Sequence, residues 1–130
     1  MRPEIRQFFE SYREAFDRLD AEAIAHHFCV PSMIVSGDGC TLFTDAGQIR
    51  TNMIALCARY RAHGFATATF EPGGFIDQPP DHAVADLLWT IRRRDGFPPW
   101  SFRTGYNLRR VANGWRVLLC TAYEEERLTA

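Results

Sequence analysis

In "PEIRQFFESYREAFDRL", the apolar positions Ile5, Phe8, Phe9, Tyr12, Phe16 and Leu19 return every three or four residues. That spacing predicts one stripe of a helix, with Pro3 suited to its first turn. Asp20 is placed to cap a second, short helix, "AEAIAHHF", which Pro31 stops. "SMIVSG" is a short strand-forming run that ends in a Gly37-Asp38-Gly39 turn. A third helix follows in "TDAGQIRTNMIALCARYRAHG", where Asp45 and Gln48 are spaced as a capping box. Its stripe is Ile49, Met53, Leu56, Cys57 and Tyr60, and Gly64 supplies the stop.

From residue 66 the period changes to two. "ATATFEPGGFID" reads as a strand bent at Pro72-Gly73-Gly74. "AVADLLWTIRRR" and "WSFRTGYNLRRV" follow, and Asn113-Gly114 leads into "WRVLLCTAYEE". The expected order is three N-terminal helices with one short strand among them, then a four-stranded antiparallel meander. This is an α+β chain forming one domain over residues 1–130.

Taking Asn113-Gly114 as the loop makes paired residue numbers of the last two strands sum to 227. Thr104, Tyr106, Leu108, Leu119, Thr121 and Tyr123 then share the face toward the helices. Taking Gly96-Phe97-Pro98 as the preceding loop pairs Thr90 with Thr104 and Leu88 with Tyr106. Asp86 then falls on the inner face, and Trp89 and Ile91 on the outer one. A loop one residue longer or shorter reverses that assignment. An inward carboxylate has to be paired, wet or protonated, which makes Asp86 a candidate general base. The plainer alternative is that it hydrogen-bonds to a neighbouring tyrosine or arginine.

Charge and composition narrow the function classes. Fifteen arginines and no lysine face sixteen acidic residues, a formal charge of −1 without the basic footprint of a nucleic-acid binder. The arginine and alanine content suggests a bacterial source. No apolar run approaches the ~20 residues of a membrane span, and no signal peptide is evident. Cys29, Cys40, Cys57 and Cys120 lack paired spacing, so reduced thiols in the cytoplasm are expected. His26, His27 and Cys29 lie close in sequence, but no third or fourth ligand follows at metal-site spacing, and no metal or other cofactor is expected.

Three stretches together, "FFESYREAFDRLDAEAIAHHF", "VPSMIVSGDG" and "DAGQIRTNMIAL", with the terminal "NGWRVLLCTAYEE", resemble the nuclear-transport-factor-2-like superfamily. The likeness is to its SnoaL-like and ketosteroid-isomerase-like branch, over about residues 4–124. The resemblance implies a cone-shaped barrel, its helices packed on a curved sheet around a small-molecule pocket. By ungapped counting, the isomerase's helical tyrosine falls on Tyr12 and its oxyanion acid on Tyr106. Its catalytic aspartate falls on Ser36, a departure, with Asp38 two residues beyond. The resulting expectation is a small-molecule-binding protein with cofactor-free proton-transfer chemistry of the isomerase, dehydratase or cyclase type on a carbonyl compound. Asp86 or Asp38 would be the base, and Tyr12 and Tyr106 the oxyanion donors. Phe16, Trp100, Phe102, Thr104, Thr121 and Tyr123 would shape the substrate wall. A homodimer through the convex sheet face is the expected assembly. The alternatives are a non-catalytic binding or dimerisation module and an accessory subunit of a larger enzyme.

Overall fold

The computed structural model describes residues 1–124. Glu125, the last residue of the expected final strand, lies outside the described residues. Helix α1 (Pro3–Asp17) carries the anticipated stripe as far as Phe16, with Ile5 and Phe9 fully buried and Phe8, Tyr12, Ala15 and Phe16 nearly so, while Leu19 lies past its end with φ of +49°. Helix α2 (Ala21–Ala25) is shorter than its apolar pattern suggested. Asp20 caps its start by accepting from Ala23 N, and His26 already closes its end. Helix α3 (Ala46–Ala62) begins at Asp45, whose carboxylate accepts from Gln48 N at 2.9 Å. Gln48 returns a bond to Thr44 N rather than to Asp45 N. Gly64 ends the helix with φ of +80°, a conformation that favours glycine.

The sheet has six strands, not four and a short fifth. These are β1 (Phe28–Ser36), β2 (Gly39–Phe43), β3 (Phe65–Gln78), β4 (His82–Arg93), β5 (Trp100–Val111) and β6 (Gly114–Tyr123). Their order is β2-β1-β6-β5-β4-β3, and every neighbouring pair is antiparallel except β1 with β6. Two features hid the extra strand. Pro31 reads as a terminator, yet it lies inside β1 where the β6 ladder is already interrupted between Phe28 and Met33, so no donor is missed. The run "GCTLF" is exposed except at Phe43, so it lacks the alternation of a half-buried strand.

Both hairpin registers differ from the expected ones. Between β5 and β6 the loop is Ala112-Asn113, and Val111 pairs with Gly114, which takes the positive φ of +117°. A bulge at Leu118 then shifts the ladder again, so Leu108 pairs with Val117 but Tyr106 with Cys120. Leu119, Thr121 and Tyr123 are thereby turned to the face opposite Thr104, Tyr106 and Leu108. Between β4 and β5, Asp95 and Gly96 both adopt positive φ in a tight turn closed by Phe97 N to Arg94 O. Pro98 and Pro99 cannot donate, so pairing resumes only at Trp100. Ile91 therefore pairs with Trp100, Trp89 with Phe102, Leu87 with Thr104 and Ala85 with Tyr106. The offset from the expected register is odd, which exchanges the faces. Trp89 and Ile91 point to the helices, and Asp86 to the convex side.

Helix α1 lies against this concave face. Phe9 contacts Tyr106 with ring centroids 4.9 Å apart, and Asp17 Oδ1 accepts from Ala68 N of β3 at 2.8 Å. Where α2 runs into β1, His27 Nδ1 bonds Ala23 O at 2.7 Å and its Nε2 meets Ser11 Oγ at 3.0 Å. The carbonyl can only accept, so Nδ1 holds the proton and Nε2 accepts from the serine. Burial lowers the His27 pKa from its ordinary 6.5. As pH falls below 6.5, the unfolded chain takes up a proton that folded His27 resists. Stability should therefore decline from pH 7 toward pH 5 and stay level above that window. His27→Gln should flatten this part of the curve, as measured by urea unfolding at a series of pH values.

Candidate functional site

Between α1, α3 and the concave face of the sheet is a cavity of about 910 Å³, within the range of small-molecule sites. Its lining is largely aromatic and includes Tyr106, whose hydroxyl accepts from Trp89 Nε1 at 2.9 Å. The Tyr12 ring stands beside it, with centroids 6.0 Å apart. With its oxygen engaged by the indole N–H, Tyr106 keeps its own O–H as a donor. Thr104 Oγ1 is buried beside it and makes no hydrogen bond of good geometry. Burial, first, pushes both phenols well above their ordinary pKa, so each stays a neutral donor.

The ring of Tyr12 is held from several sides. It meets Phe16 at 5.0 Å, Trp89 at 6.1 Å and Tyr106 at 6.0 Å, each edge to face. Cys120 completes this end as a buried thiol whose pKa burial raises to about 12. Its environment keeps it protonated and unreactive.

Most of the residues expected from sequence do meet here, though by different routes. Tyr12, Phe16, Phe102, Thr104 and Tyr106 line the cavity directly. Thr121 and Tyr123 border it from the strand that the Leu118 bulge turned over. Asp38 also borders it, because the Gly37-Asp38 turn between β1 and β2 reaches the mouth. Trp100 does not line it; the indole is buried against Tyr60, with centroids 5.2 Å apart.

Asp86 is not on the cavity wall. It lies on the convex side, where Oδ2 accepts from the Tyr123 hydroxyl and Oδ1 is buried without a hydrogen-bond partner. The odd register offset removes it from the candidate base position. Of the residues once considered for a metal, His26 caps α2, His27 bonds to Ser11 and Ala23 O, and Cys29 is a buried thiol.

Three contributors were missed. Trp89 had been placed on the outer face, although Ala83, Ala85, Leu87, Trp89 and Ile91 form an unbroken apolar alternation. Asn52 and Arg59 of α3 also line the cavity. They flank the apolar stripe rather than belonging to it, so periodicity alone did not select them.

The chain matches the family model described as "NTF2-like protein (DUF6841)" over residues 3–125. It belongs to that NTF2-like family. No curated protein matches it. Among solved structures, it resembles an NTF-2 like protein from Shewanella oneidensis MR-1 with a TM-score of 0.75 at 13% identity, over 92% of this chain and 95% of that one. A domain with a cystatin-like fold from Nostoc punctiforme PCC 73102 superposes with a TM-score of 0.73 at 14% identity, covering 96% and 76%. A ketosteroid isomerase-like protein from Erwinia carotovora atroseptica gives 0.68 at 15% identity, covering 92% of each. Likenesses this distant establish the NTF2-like, cystatin-like fold.

The convex position of Asp86 has a spectroscopic consequence for this NTF2-like chain. Donation to the Asp86 carboxylate is the first cause of a raised Tyr123 pKa. Asp86→Ala should therefore let the first phenolate appear at lower pH in an alkaline ultraviolet titration.

Proposed function

We propose that this NTF2-like protein binds a small, largely apolar carbonyl compound in the cavity and moves a proton beside that carbonyl. The observation that carries this reading is the Trp89–Tyr106 hydrogen bond with Tyr12 beside it, two phenols kept neutral by burial in an aromatic enclosure. Such fixed donors stabilise negative charge developing on a carbonyl oxygen. The base in this reading is Asp38, at the mouth. Its carboxylate takes the proton as the C–H bond of the adjacent carbon breaks. The electron pair moves to the oxygen held by Tyr106 and Tyr12, and the proton returns to carbon. No cofactor is required.

The test is deuterium exchange at the methyl group of 2-acetylnaphthalene in D₂O, followed by NMR. Exchange should exceed the buffer rate, should fall by about 10²-fold in Tyr106→Phe, the scale of losing one oxyanion donor, and should disappear in Asp38→Asn. Binding without exchange would move the conclusion to the second reading, a non-catalytic binding module. That reading is favoured by Ser36 standing where the resembled isomerase has its aspartate. Failure to bind would remove both.

The second part of the proposal is a homodimer. The convex face presents Leu42 and Ile76 at 56% and 60% exposure, with Leu88 and Leu119 partly exposed between them. Exposed apolar side chains spread over one sheet face favour association with a second copy. Sedimentation velocity at low micromolar concentration should give a dimer, and Leu119→Arg should give a monomer. A wild-type monomer would refute it. We also place the protein in the cytoplasm: Cys29, Cys40, Cys57 and Cys120 are all free thiols, and no helix among the described residues is long and apolar enough to cross a membrane.

A further inference from the structure

The polar groups deep in the cavity are neutral, but the α3 wall is not. Asn52, Leu56 and Arg59 follow one another at helical spacing along the flank of α3 that faces the cavity. Seven residues of helix span about 10 Å, so the amide and the guanidinium bracket one side of the site. Arg59 is the one cationic side chain on the cavity wall among the described residues. Arg13, Arg103 and Arg110 are engaged with carboxylates elsewhere, whereas Arg59 has no ion-pair partner among the described residues.

We infer that the ligand is an apolar oxo-acid, its carbonyl at Tyr106 and Tyr12 and its carboxylate at Arg59, with Asn52 beside it. This rests on the carbonyl-binding reading of the cavity and deepens it. A planar guanidinium matches a carboxylate with two parallel hydrogen bonds, which a neutral ester cannot reproduce. The other charged side chains on the cavity wall are both acids, which disfavours a ligand with more than one negative charge. Glu124 is held by Arg103 at 3.2 Å, and Asp38 is a second carboxylate on the rim. The apolar length between the two polar ends runs past Leu56, Phe16 and Met53, which suits an aryl or alkyl chain.

The experiment uses 5-oxo-5-phenylpentanoic acid and its methyl ester, titrated against the full chain by calorimetry at pH 7. The acid should bind about tenfold more tightly than the ester, the scale of one charge-assisted interaction at a partly exposed site. Arg59→Gln should abolish that preference, bringing the acid's affinity to that of the ester in the same variant, and Arg59→Lys should retain part of it. Tyr106→Phe should weaken acid and ester alike. Equal binding of acid and ester to the wild-type chain would overturn the oxo-acid inference and leave the carbonyl reading standing. An acid preference that survives Arg59→Gln would overturn the role of Arg59. Binding of neither compound would overturn both.

Discussion

The cavity depends on one geometric constraint: successive rungs of β4 and β5 must turn the same face to α1. Ala85 with Tyr106, Leu87 with Thr104 and Trp89 with Phe102 all do so, and the Tyr106 with Cys120 rung continues the surface into β6. Because side chains alternate along a strand, a single-residue slip would replace this surface with Asp86, Leu88 and Arg103. The aromatic stripe of α1 would then meet charge instead of aromatic rings. Phe9 against Tyr106, and Tyr12 against Trp89, hold the register from the helix side. Asp17 fixes the end of α1 to the backbone of β3.

The same constraint sorts polar groups by the kind of burial each tolerates. A phenol or an indole can be enclosed at modest cost once its O–H or N–H finds a partner, and the Trp89 N–H finds one in the Tyr106 oxygen. An ionised carboxylate cannot be enclosed so cheaply. The acids near the site accordingly stand at its margins: Asp38 on a turn, Glu124 at the end of β6, and Asp86 across the sheet against Tyr123. The interior is an environment of fixed neutral donors, and charge enters from the rim.

How much of this was legible in the sequence follows from the range of the interactions that decide it. The α1 stripe, the Asp45 cap and the Gly64 stop are local, and each stands where its spacing placed it. Tyr12, Phe16, Phe102, Thr104 and Tyr106 could be grouped because helix and strand periodicity survive small boundary errors. The faces of β4 and β6 could not be derived from loop composition. Asp95-Gly96 followed by two prolines, and an extra residue at Leu118, each shift the ladder by an amount no turn motif announces. The alternation within "AVADLLWTI" did hold the answer, since Ala83, Ala85, Leu87, Trp89 and Ile91 are uniformly apolar while their neighbours include Asp86 and Thr90. An assumed loop length outweighed that stronger signal. β2 escaped for a different reason: an edge strand exposed at four of five positions has no hydrophobic period to detect.

These placements bear on chemistry as well as on fold. The isomerase-like pattern loses its carboxylate where Ser36 stands on β1, and the nearest acid is displaced by two residues onto the Gly37-Asp38 turn. A base on that turn therefore reaches the cavity from its mouth rather than from its wall. It remains better solvated than a carboxylate on the wall would be, and it meets substrate atoms near the rim. The tyrosine pair is enclosed, with Tyr12 and Tyr106 both buried. In the proposed reaction the carbon that loses its proton is bonded to the carbonyl carbon, so the acid on the turn and the tyrosine pair have to serve neighbouring atoms of one ligand, which ties its reacting end to the stretch of cavity between them.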